Sequence, residues 1–337
     1  MSIPAIQMAR IGKYIITQTL KRNKHYPLVL MLEPLFQCNL RCKGCGKINQ
    51  PPEIMNKRLS VEECISAAEE CGAPIVSIPG GEPLLHPEIP TIVKELIKRK
   101  KFVYLCTNGL LVPSRIHEFE PSPYLTFNLH FDGLEARHDE LVCKEGVFKN
   151  AVKSIKMLIE KGFRVNTNST FFAGQDPVEA AKLFDFLNSL GVEGMTVSPG
   201  YSYEAAADQD NFLARENTEK LFKEIFKIGK ERKWDFNHSV LYLDFLAGNQ
   251  NYKCSPWGNP TRSVHGWQTP CYLLEDGFVS SYKELMEKTQ WEKYGGGVDP
   301  RCANCMVHCG YEPTAVADTV KHPLKALMLT LKGIKTD

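Results

Sequence analysis

The sequence predicts an α/β protein, a partial (β/α)6 TIM-like barrel followed by a C-terminal cysteine-rich extension. Three observations predict it. Short apolar runs alternate with amphipathic helical stretches from Leu28 to Ser198. Six strands joined by crossover helices imply a parallel sheet, because parallel neighbours need connections of that length. Residues able to do chemistry recur just past successive strands, where a barrel carries its active site.

Residues 1–27 hold an N-terminal amphipathic helix, with Met8, Ile11, Ile15, Ile16 and Leu20 at helical spacing beside Arg10, Lys13, Lys21 and Arg22. The core barrel occupies 28–215. Its first strand, 28–32, leads into a cysteine loop. Ser60 and Glu63 form a capping box that opens a helix running to Cys71. Strand two, 74–78, is followed by Gly80-Gly81-Glu82-Pro83, and a helix over 87–100 precedes strand three, 102–107. Strand four covers 124–131 and strand five 163–169, with a helix over 147–161 between them. A helix over 177–190 leads to strand six, 195–198. In the extension, 216–337, the alternation fades into a helix near 218–233 and then a region rich in Cys, Gly and Pro.

With 337 residues, 43% hydrophobic and 24% charged, the chain has ample core for a globular protein. A formal net charge of +2 gives no nucleic-acid footprint. Twelve cysteines without a signal peptide point to a reducing cytoplasm and thiols used for metal. No uncharged apolar run approaches the about 20 residues that span a bilayer.

Cys38, Cys42 and Cys45 give the spacing C-x3-C-x2-C on one short loop. Three thiolates can hold three irons of a 4Fe-4S cluster and leave the fourth open, and an open metal position is a reactive one. A zinc site or three unrelated thiols is the competing reading. Gly80-Gly81-Glu82, Asn108, His130, Asn166, Asn168 and Ser198-Pro199-Gly200 lie on the later strands or at their ends. A plain turn, a solvated carboxylate and a satisfied core histidine are the bland readings of Gly80 and Gly81, Glu82 and His130.

This layout resembles the radical S-adenosylmethionine (SAM) superfamily over roughly Leu28 to Gly200. The resemblance implies that SAM binds the open iron through its amino and carboxylate groups and is cleaved to a 5'-deoxyadenosyl radical. A flavodoxin- or ferredoxin-type donor would supply the electron. It further implies that Gly80 and Gly81 let the backbone approach SAM, that Glu82 accepts from the methionine ammonium, and that Asn108, His130, Asn166 and Asn168 line the cofactor site. Two positions depart from the family: His130 stands where a small hydroxyl residue is common, and Gly44 where an aromatic usually packs near the adenine.

Cys106 lies two residues before Asn108 and shares its strand face. A thiol there can give a hydrogen atom, or an electron with a proton, to a carbon radical; a small buried hydrophobe is the alternative. Cys64 and Cys71 sit on one helix face and read as core. Cys143 has no assignment.

Cys254, Cys271, Cys302, Cys305 and Cys309 form a second constellation. Its first half resembles the opening of auxiliary-cluster domains attached to radical SAM enzymes, and four of the five could hold a second Fe-S cluster; a zinc knuckle is the rival. Near the end, Leu324, Leu327, Met328 and Leu331 stand beside Lys325, Lys332 and Lys335 in a second basic amphipathic helix. Such helices either dock on their own domain or lie in a membrane interface.

Longer runs resemble the hopanoid-biosynthesis branch of the superfamily: Glu33 to Leu40, Cys45 to Ile48, Ser198 to Glu204, Cys254 to Gly258 and Pro270 to Leu274. This implies addition of the radical to the alkene of diploptene or a similar triterpene, with reduction to adenosylhopane. Two alternatives stand beside it. One is peptide or cofactor maturation with an auxiliary cluster, though the stretch ahead of Leu28 is short for a leader-binding module. The other is a non-catalytic Fe-S or zinc protein.

Overall fold

The computed structural model describes residues 4–202, 206 and 209–336. Six parallel strands form the barrel wall: β1 (Val29–Glu33), β2 (Ile75–Ile78), β3 (Phe102–Thr107), β4 (Leu125–His130), β5 (Arg164–Phe171) and β6 (Gly194–Pro199). Each pairs in parallel with the next. The helices Val61–Cys71, Ile89–Lys98, Val147–Glu160 and Pro177–Ser189 lie where the apolar periodicity puts them. The capping box is present, with Glu63 N donating to Ser60 Oγ at 3.2 Å and Ser60 N to Glu63 Oε2 at 2.7 Å.

The sheet stays open. Three more strands, β7 (Thr261–Ser263), β8 (Gly266–Pro270) and β9 (Glu275–Val279), extend it in the order β6-β5-β4-β3-β2-β1-β7-β8-β9. The fading of the alternation past Tyr201 therefore hid three strands. They are short and polar and carry no 3.6- or 2-residue apolar repeat; β7 pairs in parallel with β1, and β8 and β9 add to it as antiparallel neighbours.

Alternation along the strands divides the residues between two faces. Leu30, Val76, Val103, Leu105, Phe127 and Val165 face the helices and are fully buried. Ser77, Tyr104, Cys106, Asn128, Asn166 and Asn168 face the barrel interior. The N-terminal helix Ala5–Leu20 contributes Gln7 to the barrel's lower end, where Gln7 Nε2 donates to Tyr104 Oη at 2.8 Å. Arg10 donates to Lys100 O at 3.0 Å beside it. Its predicted apolar stripe is thus split: Ile15 is buried, whereas Met8, Ile16 and Leu20 are exposed. Cys64 and Cys71 are buried core residues, and Cys143 is exposed.

Candidate active site

Cys38, Cys42 and Cys45 line one cavity of about 340 Å³ at the C-terminal mouth of the barrel. The loop that carries them is held from both sides. Gly81 N donates to Leu35 O and Glu82 N to Gln37 O, both at 2.9 Å, and Lys43 N donates to Leu141 O at 2.9 Å. A Cβ on Gly81 would stand 2.3 Å from the carbonyl oxygens of Phe36 and Gln37, and Gly80 holds φ at +41°. These glycines are therefore required by the close approach of the β2 loop to the cysteine loop's own backbone.

Burial pushes the Cys38 thiol up to about 11, against a backbone N–H from Leu40 at 3.4 Å. Burial and the neighbouring Cys45 push Cys42 up as well, and burial raises Cys45 despite N–H donors from Lys47 and Ile48. Soft donors that repel one another when ionised suit a cationic iron–sulfur centre, which favours their thiolate forms. Among the described residues no three His, Cys, Asp or Glu groups already stand at coordinating geometry. The three thiols frame the mouth of the cavity, and a cluster bound there would draw them together. Cys38, Cys42 and Cys45 fit that group by donor chemistry and by facing a common cavity.

Glu82, Asn108, His130 and Asn168 line the same cavity, as do Gly80 and Gly81. Glu82 is fully engaged by protein donors: Leu84 N at 3.0 Å and Thr107 Oγ1 at 2.9 Å reach Oε1, and Asn108 N at 2.9 Å reaches Oε2. Burial outweighs these bonds and pushes its carboxyl up to about 7. The expected contact with an ammonium would have to share an acceptor already used to join β2 to β3. Asn108 Nδ2 donates to Asn39 Oδ1 at 2.7 Å, tying β3 to the cysteine loop. Asn166 does not line this cavity: it is fully buried, with no hydrogen-bond partner for either amide atom.

His130 Nε2 lies 2.9 Å from Asp132 Oδ2. Burial lowers the imidazole's pKa, but the Asp132 carboxylate overcomes it and the net shift is upward. Asp132 Oδ1 also accepts from Thr170 N at 2.7 Å. Behind them His138 Nδ1 accepts from Asp132 N at 3.2 Å, and burial with the nearby His130 pushes this ring down to about 4.

Cys106 faces the cavity from β3. Its Sγ is 3.6 Å from Ser77 Oγ, and Asn128 Nδ2 donates to it at 3.7 Å. Burial raises its pKa, so the thiol keeps its proton. Cys254, Cys271, Cys302, Cys305 and Cys309 converge around a second, much smaller cavity, and Cys309 lines both cavities. Burial and mutual proximity push Cys254 and Cys309 up, and burial pushes Cys305 up to about 12. Tyr203 and Glu204, the end of the run that begins at Ser198, lie outside the described residues.

Sequence reasoning missed several wall residues. Phe172, one residue past β5, continues the inward face of Asn168 and Thr170, so the two-residue period could have found it. Lys47 and His308 had no such signal. The His308 ring stands 3.2 Å from Ser198 Oγ, and burial pushes its pKa down to about 3.

Residues 32–187 match the Radical SAM superfamily, and residues 195–329 match a family described as Domain of unknown function (DUF3463). The chain is 30% identical over 158 residues to the probable GTP 3',8-cyclase of Archaeoglobus fulgidus, covering 46% of this chain and 52% of that one. It is 23% identical over 282 residues to the probable GTP 3',8-cyclase of Methanococcus maripaludis, covering 77% and 89%. The chain spans about half the length of several other GTP 3',8-cyclases it matches. Streptococcus suis SuiB bound to S-adenosylmethionine aligns with a TM-score of 0.62 at 18% identity, over 74% of this chain and 62% of that one. Native anSMEcpe with bound AdoMet aligns with a TM-score of 0.61 at 16% identity, over 91% and 100%. At these identities the two structures share a fold with this chain. A superfamily match running from the end of β1 past β5, on a barrel whose three-cysteine loop opens into the central cavity, places residues 32–187 of this chain in the radical SAM superfamily.

Proposed function

We propose that this radical SAM enzyme is an adenosylhopane synthase, joining the 5'-deoxyadenosyl group to the alkene of diploptene. A reduced 4Fe-4S cluster, when bound together with SAM, would supply the 5'-deoxyadenosyl radical. Cys38, Cys42 and Cys45 would hold the cluster, and the cavity wall from Gly80 to Asn168 would hold SAM. Addition of the radical to the terminal alkene carbon leaves an unpaired electron on the tertiary carbon. Cys106 then gives its S–H hydrogen atom to that carbon, forming a C–H bond and a thiyl radical. One electron from a flavodoxin- or ferredoxin-type donor and one proton return the thiol.

The observation that carries this reading is the cavity wall itself. It presents the Cys106 thiol, and among the described residues Lys47 is its one Lys or Arg, already occupied by Glu33 and Glu275. A triphosphate substrate calls for several cationic donors, whereas a hydrocarbon needs none. The terminal helices add support for a lipid substrate. The helix Pro323–Lys332 exposes Leu324, Leu327, Met328 and Leu331 on one face, beside lysines that suit peripheral contact with an anionic membrane. No helix among the described residues is long and apolar enough to cross a membrane.

A second reading, cofactor maturation of the GTP 3',8-cyclase type or peptide maturation, is favoured by similarity, since the curated relatives are GTP 3',8-cyclases and SuiB shares the fold. The superfamily match at residues 32–187 lies over the barrel, which serves SAM cleavage in either case. Anaerobic reaction of reconstituted enzyme with SAM, reductant and either diploptene or GTP decides between them. Adenosylhopane by mass spectrometry supports the first reading; a cyclised GTP product with diploptene untouched would replace it with the second.

A further inference from the structure

We propose that Lys47 is a positioning residue whose single ammonium ties the cysteine loop to the C-terminal hairpin and fixes a positive charge beside Cys45, raising the reduction potential of a cluster held there. The potential half of this inference rests on Cys38, Cys42 and Cys45 being the cluster ligands. The tie to the hairpin stands on geometry alone.

Lys47 lies two residues past Cys45, and its side chain is only 8% exposed. Its Nζ stands 3.4 Å from Glu33 Oε2 and 3.4 Å from Glu275 Oε1. It also sits 4.6 Å from the ring centroid of Tyr272. Three separate parts of the chain therefore meet at one charge: the end of β1, the cysteine loop, and the segment from Tyr272 into β9. Glu33 is fully buried, and among the described residues Lys47 is the cation set against it. A buried carboxylate without its cation is strongly destabilising, so the pair has one stable arrangement and the loop is fixed with it.

The tie reaches both sets of thiols. Tyr272 directly follows Cys271, one of the five cysteines around the second cavity, and it lines both cavities. On the other side, the backbone N–H of Lys47 hydrogen-bonds the Cys45 sulfur, and its ammonium acts on the same thiolate. Cluster potentials follow net charge, hydrogen bonds to sulfur and solvent access. Lys47 supplies the first two and, by holding the hairpin down, limits the third. A cation–π contact with Tyr272 adds orientation.

The test compares Lys47→Met, Lys47→Arg and Glu275→Gln with the wild type. One readout is the midpoint potential of the reconstituted cluster, followed by electron paramagnetic resonance. The other is hydrogen exchange of residues 272–279 in the same preparations. Lys47→Met should lower the midpoint and speed exchange of the hairpin several-fold, while Lys47→Arg stays near the wild type in potential. Glu275→Gln should speed exchange without lowering the midpoint. A Lys47→Met protein with full iron, unchanged midpoint and unchanged exchange would overturn the inference. Should Lys47→Met not fold, Glu275→Gln decides the tie: faster exchange supports it, wild-type exchange removes it. A wild-type protein that takes up no cluster would overturn the assignment of the three ligands and the potential half with it, leaving the tie to the exchange data.

Discussion

The ring of Phe172 fills the space that a side chain at position 44 would need: a Cβ on Gly44 would stand 2.6 Å from Phe172 Cζ. The same ring lies 2.7 Å from where a Cβ on Gly200 would be, so two glycines make its slot. The aromatic that relatives commonly carry before the third cysteine is absent here, and an aromatic from the end of β5 stands at that place in the cavity wall. Phe172 would offer the adenine a platform at that place. Phe172→Ala should weaken SAM binding by about 3- to 10-fold, the worth of one aromatic stacking contact. Gly44→Phe alone should weaken it too, through the clash, and Gly44→Phe with Phe172→Gly should recover part of the loss. Equilibrium dialysis with reconstituted enzyme reads all three; wild-type affinity in Phe172→Ala would remove the platform.

Cys106 predicts a separable defect. Cys106→Ala leaves the three cluster cysteines and the rest of the cavity wall untouched, so SAM cleavage should persist while the adenosylated, reduced product falls by about tenfold or more. In D2O the wild type should place one deuterium on the quenched carbon, because a thiol exchanges with solvent. Liquid chromatography with mass spectrometry gives both quantities. Full product yield from Cys106→Ala would show that the hydrogen comes from elsewhere.

The barrel was legible because its strands are apolar on one face and its crossovers amphipathic, and because cysteines, glycines and asparagines recur at strand ends. Asn168 and Cys106 followed from the two-residue period. The same period placed Asn166 on the cofactor's face but could not show that its side chain is fully covered there. Lys47 was invisible because a lone lysine reads as solvated; only the folding of β9 onto the cysteine loop buries it. Strand β7 takes its pairing from β1, a long-range partner that no local pattern announces, and β8 and β9 build on β7. Substrate identity is the least legible feature, since the barrel motifs serve SAM whatever the radical attacks.

The buried ring of His138 predicts a pH dependence of stability. Its Nδ1 accepts from Asp132 N, so a proton there would meet an N–H donor. The folded ring titrates near 4 and the unfolded one near 6.5. Between these values the unfolded chain binds more protons, so stability rises with pH; the contribution is complete above 6.5 and lost as pH falls toward 4. Its ceiling is on the order of 3 kcal/mol. His138→Asn keeps an acceptor and removes the titration. Urea denaturation of the apoprotein from pH 5 to 7 should show a shallower rise in this variant, and equal slopes would assign the dependence to other groups.

Five thiols around one small cavity predict metal beyond the first cluster. Replacing Cys38, Cys42 and Cys45 together by Ala should leave about half of the wild-type iron if four of Cys254, Cys271, Cys302, Cys305 and Cys309 hold a second cluster. Cys254→Ala with Cys305→Ala should remove that half and spare the first. Elemental analysis beside Mössbauer spectroscopy distinguishes the outcomes: zinc in place of the second iron pool identifies a zinc knuckle, and neither metal shows the thiols to be structural.

The chain ends predict binding to an anionic membrane surface. Residues 1–32 carry Arg10, Lys13, Lys21, Arg22 and Lys24 with no Asp or Glu, and residues 319–336 carry Lys321, Lys325, Lys332 and Lys335 with none either. The whole chain is nearly balanced, with 41 basic and 39 acidic residues, so positive charge is concentrated at the two ends. The helix Pro323–Lys332 adds apolar area in the same place, with Leu324 73% and Leu331 77% exposed. Each basic residue near an anionic leaflet contributes about 1 kcal/mol, and inserting a leucine side chain about 1.5–3 kcal/mol. Co-sedimentation with phosphatidylglycerol-containing vesicles should therefore fall as salt rises and be far weaker with neutral vesicles. Leu327→Glu with Leu331→Glu, both at exposed positions, should weaken binding at least about tenfold while melting at the wild-type temperature. Equal sedimentation of this variant would leave charge alone as the attraction, and no sedimentation of the wild type would return both helices to the solvent.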